Sequence, residues 1–185
     1  MKRILFFLAL TVVFVVLAPA VYAVTPEETP VPQKVDYTLP YPGILADNPL
    51  YILKNLRDII MEWLIADPVK KVEFYTLQGD KDLNAAVFLN AKGKAALAAD
   101  SVVRGNTYTG NAVKIAGSLE QQGKEVPAYV IARLQTSLAK HDEVLTDLAG
   151  KAAAPQKANF ESDLSTVKEL EVNAASLSGK TQVGE

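Results

Sequence analysis

Residues 127–150 read PAYVIARLQTSLAKHDEVLTDLAG. Val130, Leu134, Leu138, His141, Leu145 and Leu148 recur at steps of three or four, the spacing that stacks side chains on one face of an α-helix. Pro127 stands where a helix opens and Gly150 where one closes. A helix with one apolar stripe must bury it against other elements. The rest of the chain offers partners of the same kind, and no β-hairpin pattern is present.

Downstream, Pro155 opens a further helix with Phe160, Leu164, Val167, Ala174 and Leu177 on one side. Upstream, a helix fits residues 108–122, with Val113, Ile115, Ala116 and Leu119, and Gly123 ends it. Before that, Asp67-Pro68 gives a side-chain cap followed by proline at the first helical position. The helix it starts reaches at least Asn90 and extends to Arg104 unless Gly93 breaks it. Arg104-Gly105-Asn106 reads as a C-terminal stop, and Gly79 as a weak point costing about 1 kcal/mol relative to alanine. The first helix takes Asp47 or Asn48 as its cap and Pro49 as its first residue. Its stripe is Leu53, Leu56, Ile60 and Trp63. Short connections between amphipathic helices favour antiparallel neighbours. The expected fold is all-α: an antiparallel bundle of four to five helices, preceded by an extended Pro-rich strap.

The expected domain spans residues 37–178. Residues 37–48, YTLPYPGILADN, are too rich in proline for regular structure and too apolar for a free loop, so they should lie on the helices as an ordered strap. Residues 24–36, VTPEETPVPQKVD, have the composition of a solvated spacer. Residues 179–185 form a polar tail. At the start, Lys2 and Arg3 precede an apolar run over residues 4–17, then Ala18-Pro19-Ala20 and Val21-Tyr22-Ala23. That is the layout of a secretory signal peptide over residues 1–23, cut after Ala23. The expected location is therefore secreted or extracytoplasmic. The alternative is an uncleaved N-terminal anchor, the only route to the membrane that the sequence offers. Cleavage leaves about 160 residues, enough for one domain with a core of its own. With no cysteine in the chain, disulfides, thiolate metal sites and lipid attachment through cysteine are excluded. A net charge of −2 for the whole chain, made more negative by loss of Lys2 and Arg3, gives no basic footprint for nucleic acid.

Catalytic constellations are missing. His141 is the only histidine, and it sits on the apolar stripe of its helix. Asp142 and Glu143 follow it directly and point elsewhere around the helix. It reads as a histidine at the core edge with one satisfied hydrogen bond. Ser178-Gly179-Lys180-Thr181 imitates the end of a phosphate loop but has Ala174 where the motif needs glycine, and no helix can follow it. Asp80 with Asp82, and Glu161 with Asp163, diverge on a helix and read as solvated faces. Trp63 and Tyr51 read as core-filling aromatics, with a membrane or partner contact as the other use. No catalytic, cofactor-binding or metal residue is assigned, and no cofactor is expected.

The stretch at residues 39–74, LPYPGILADNPLYILKNLRDIIMEWLIADPVKKVEF, is more distinctive than a helix start requires. It resembles the opening of the DUF5667 family, a domain of unknown function in exported bacterial proteins. The shared pattern is Pro-x-x-Pro-Leu-Tyr-x-Leu-Lys, a short amphipathic helix, then Asp-Pro-x-x-Lys and a long helix. Pro49, Leu50, Tyr51, Leu53 and Lys54 carry the first part, and Asp67, Pro68 and Lys71 the second. Ala46 replaces the first proline. The likeness is sharpest over residues 39–90. It implies an exported helical protein and brings no catalytic residues with it. As a folding signature, Leu50, Tyr51 and Leu53 would pin the first helix to the bundle, while Lys54 and Arg57 face out or pair with carboxylates. Tyr41, Trp63 and His141 complete the candidate interaction residues. The expected function is a non-catalytic interaction or structural module with an unidentified envelope protein as partner. The alternative is a sensory bundle that binds a small ligand or metal.

Overall fold

The computed structural model describes residues 34–178. The signal peptide, most of the spacer and the tail lie outside the described residues. All regular structure within them is helical: α1 (Tyr51–Leu64), α2 (Pro68–Ala91), α3 (Ala95–Gln121), α4 (Ala128–Lys151) and α5 (Gln156–Ala175).

Local chemistry accounts for the joints. The Asp67 carboxylate accepts from the Val69 and Lys70 backbone N–H groups at 2.8 and 3.3 Å, and Pro68 takes the first helical position. Gly93 breaks the helix, adopting φ 71° between α2 and α3, a conformation that costs glycine nothing. Neither Asp47 nor Asn48 caps the first helix: α1 begins only at Tyr51, with Leu50 at its N-cap and no side-chain cap bond. The Asn48 side chain instead accepts from Leu50 N–H at 2.9 Å, so Pro49 belongs to the preceding turn.

Helices α2 to α5 form the bundle. α2 packs most extensively on α3 and α4 on α5, and the two hairpins meet through α3–α5 and α2–α4. Phe160, Leu83, Leu89, Leu134, Leu138 and Leu145 are fully buried at the centre, and the α4 stripe lies in the core as its spacing requires. Fully burying one such side chain stabilises the fold by about 1.5–3 kcal/mol.

Gly105 is no stop: α3 runs through it without interruption. Its role is spatial. A Cβ on Gly79 would lie 2.6 Å from Thr109 Cγ2 and 3.1 Å from the Gly105 carbonyl oxygen, and one on Gly105 would lie 3.2 Å from the Gly79 carbonyl oxygen. The two glycines let α2 and α3 cross in near backbone contact.

The strap is ordered over its described part. Val35, Tyr37 and Leu39 turn inward and Lys34, Asp36 and Thr38 outward, the alternation of an extended chain. It runs alongside α2. Tyr37 reaches Asp80, the Pro40 carbonyl accepts from Asn84 at 2.9 Å, Tyr41 meets Phe88 edge-on, and Asp47 pairs with Lys92 at 3.2 Å.

Candidate functional site

The helix between strap and bundle is turned over. At 100° per residue, Ile52, Leu53, Leu56, Ile59, Ile60, Trp63 and Leu64 of α1 share an arc of roughly 140°. That arc faces away from the bundle: Ile52 is 74% exposed, Leu56 53%, Ile59 63% and Trp63 82%. The buried residues of α1 are Lys54 and Asp58. Among the described residues no other helix packs its backbone closely against α1; the contact is made by side chains. The expectation that Leu50 and Leu53 pin this helix is therefore reversed, and Trp63 fills no core. Lys54 and Arg57 do pair with carboxylates, the second of the two uses expected for them, and Tyr51 lies against the bundle as expected. Periodicity shows that a helix has an apolar face; it carries no information about what lies on the other side.

Polar side chains hold α1 in place. Lys54 Nζ lies 3.7 Å from Asp58 Oδ2 and 3.6 Å from Asp82 Oδ1, and Arg104 Nε lies 3.4 Å from Asp82 Oδ2. These pairs are long, so among the described residues Asp82 Oδ1 and Arg104 Nε make no hydrogen bond. Lys54 and Arg104 also sit over the Tyr51 ring, 5.2 and 5.5 Å from its centroid. Exposed Arg57 reaches Asp58 at 2.6 Å, and Tyr75 donates to Glu62 at 2.6 Å. Burial raises the Asp82 pKa, with Arg104 and Lys54 opposing. Burial and the Glu62 carboxylate push the Tyr75 hydroxyl up to about 12.

A second buried carboxylate fastens the strap. Asp80 accepts from Tyr37 OH at 2.5 Å and from Ser137 Oγ at 2.6 Å, and His141 Nε2 lies 3.2 Å away. Asp80, Ser137 and His141 are fully buried. Burial, followed by Asp80, pushes the Tyr37 hydroxyl up to about 12. Beside this cluster the Val35 N–H donates to Glu143 at 2.7 Å. Ser, His and Asp occur together here, but Ser137 donates to Asp80 and not to the imidazole. That is not the wiring of an activated nucleophile, which needs its base in direct hydrogen bond. The remaining imidazole nitrogen, Nδ1, has no hydrogen-bond partner among the described residues.

Asp80 and Asp82 are thus not a solvated face. Two positions apart on α2, they diverge to opposite tasks, one holding the strap and α4, the other α1 and α3. Of the sequence candidates, Tyr51, Lys54 and Arg57 come together in the α1 tether. Leu50 and Trp63 stand on the outward side, Tyr41 is exposed on the strap, Asp67, Pro68 and Pro49 shape turns and helix starts, and His141 belongs to the strap cluster. Sequence reasoning missed Tyr37, Asp58, Asp80, Asp82, Arg104 and Ser137. Their partners lie on other elements, and no local motif marks them. Among the described residues no three His, Cys, Asp or Glu side chains converge as a metal-binding group, and no helix is long and apolar enough to cross a membrane.

These features define an all-α bundle that carries an outlying amphipathic helix on a polar tether. No family model, curated protein or solved structure matches the chain.

Proposed function

We propose that this chain is a non-catalytic protein-interaction module of the bacterial envelope, and that the outward face of α1 is its docking surface. The observation that carries the reading is the exposure of nine apolar side chains between Leu50 and Leu64, each 44–82% accessible. Monomeric soluble proteins rarely leave contiguous apolar patches beyond a few hundred Å² uncovered. The bundle core is complete without these residues, so their apolar character serves something other than folding. The signal-like N-terminus and the likeness of residues 39–90 to DUF5667 support an extracytoplasmic setting.

The alternative, a small-ligand or sensory bundle, would look first to His141. That side chain is enclosed together with Asp80 and Ser137, and Asp80 is occupied in fastening the strap. The test of the interaction reading is affinity capture from envelope extracts with the wild type and with Leu56→Asp. The variant should keep its helical circular dichroism and lose the captured partners. Retention of the same partners at the same abundance would overturn the reading.

A further inference from the structure

The occupant of the α1 face is open to physical argument. We infer that it is a second copy of this chain, paired through α1 about a two-fold axis. This deepens the proposal that α1 is the docking element and rests on it.

Three observations point to a copy of the chain. The first is area. The seven exposed apolar side chains of the arc present on the order of 900 Å², against about 800 Å² that each partner buries in a specific interface. The second is charge. No charged residue falls within the apolar arc. The four charges of α1, on Lys54, Arg57, Asp58 and Glu62, cancel. Lys54, Asp58 and Glu62 are engaged on the bundle side, while exposed Arg57 borders the arc and is paired with Asp58. An interfacial lipid helix has the opposite design: its polar face is rich in Lys and Arg and turns to the headgroups. Arg57, already paired with Asp58, is the one cation of α1 at the arc's margin, so a lipid surface has little to recognise here, and a strongly charged partner has little to complement.

The third is pattern. In an antiparallel pair centred level with position 58, Ile60 lies level with Leu56 of the other copy, Trp63 with Leu53, and Leu64 with Ile52. Each of these is an exposed apolar residue. The face is therefore complementary to itself under the symmetry of most homodimers, in which one patch serves both partners. Trp63 at 82% exposure is the side chain with most to gain, and tryptophan is the residue most enriched among interface anchors.

The test uses the protein expressed with its own N-terminal residues and purified from the extracytoplasmic fraction. Light scattering or sedimentation should give twice the chain mass for the wild type and a monomer for Ile60→Asp, with self-association at least ~100-fold weaker. The chain has no cysteine, so the register can be read directly. Leu56→Cys mixed with Ile60→Cys should oxidise to a covalent dimer, while Ile52→Cys mixed with Ile60→Cys should not. A monomeric wild type with no cross-link overturns the dimer. If Leu56→Asp then still loses its envelope partners, the interaction reading stands without the dimer. Trp63 is the only tryptophan, so its emission reports on membranes separately. A blue shift with phosphatidylglycerol–phosphatidylethanolamine vesicles from a monomeric protein would overturn both the dimer and the protein partner in favour of lipid.

Discussion

Replacing Asp80 by alanine tests whether the buried carboxylate is what fastens the strap. The change removes the acceptor shared by Tyr37, Ser137 and His141. Tyr37 is half-buried and can turn its hydroxyl to water. Ser137 and His141 are fully buried and cannot. A buried polar group left without its partner costs about 1–3 kcal/mol, so two of them together with the lost strap contact give about 3–5 kcal/mol. For a domain of this size 1 kcal/mol moves the midpoint by about 2–4 °C, so the melting temperature should fall by about 10 °C. Tyr37→Phe, which loses one half-exposed hydroxyl, should cost about 1 kcal/mol. Glu161→Ala on the exposed face of α5 should stay within about 0.5 kcal/mol. Urea unfolding followed by circular dichroism measures all three, and limited proteolysis reports release of residues 34–50. A loss below about 1 kcal/mol for Asp80→Ala, or a Tyr37→Phe effect equal to it, would refute the tether.

Three further outcomes are expected. Asp163, on α5 against Asn106 of α3, has its carboxyl pushed up to about 6, by burial first and against the Asn106 hydrogen bond. Between pH 3.8 and about 6 the folded chain holds a proton that the unfolded chain has released, so this contribution to stability falls as pH rises through that window. Asp163→Asn should flatten that dependence and add at most ~1 kcal/mol at pH 7, because the group is only half-buried and screened; a variant less stable than wild type at neutral pH contradicts the assignment. Gly79→Ala should destabilise by about 2 kcal/mol in spite of alanine's better helix propensity, since its Cβ meets Thr109 and the Gly105 carbonyl; unchanged urea unfolding would show that the crossing has room. Lys54→Met should remove the cation between Asp58 and Asp82, costing about 2 kcal/mol and stripping hydrogen-exchange protection from α1 while α2–α5 keep theirs; loss spread evenly over all five helices would show that α1 is integral to the core.

Sequence reading carries furthest where cause and effect lie within one turn of chain. The α4 stripe, the Asp67-Pro68 start and the Gly93 break are all local, and each has its counterpart in the structure. Gly105 misleads because a glycine that ends a helix and one that admits a neighbouring helix look alike in one dimension. Asp80 and Asp82 misread for a related reason: Ser137 and His141 stand 57 and 61 residues from Asp80, and no spacing rule reaches so far. For α1 the pattern was legible and its orientation was not. The buried cation–carboxylate set that turns it over is assembled from α1, α2 and α3 together.

The turned-over helix separates two constraints that proteins ordinarily satisfy with the same side chains. In most amphipathic helices the apolar stripe is the folding contact, so any change there taxes the fold. In α1 the folding contact is Lys54, Asp58 and Glu62, and the outer row from Ile52 to Leu64 answers to nothing in the bundle. That row can be rewritten, residue by residue, with little consequence for stability. On the proposed reading of α1 as the docking element, binding preference and fold would drift independently, and the chain would be a scaffold whose recognition surface is exchangeable.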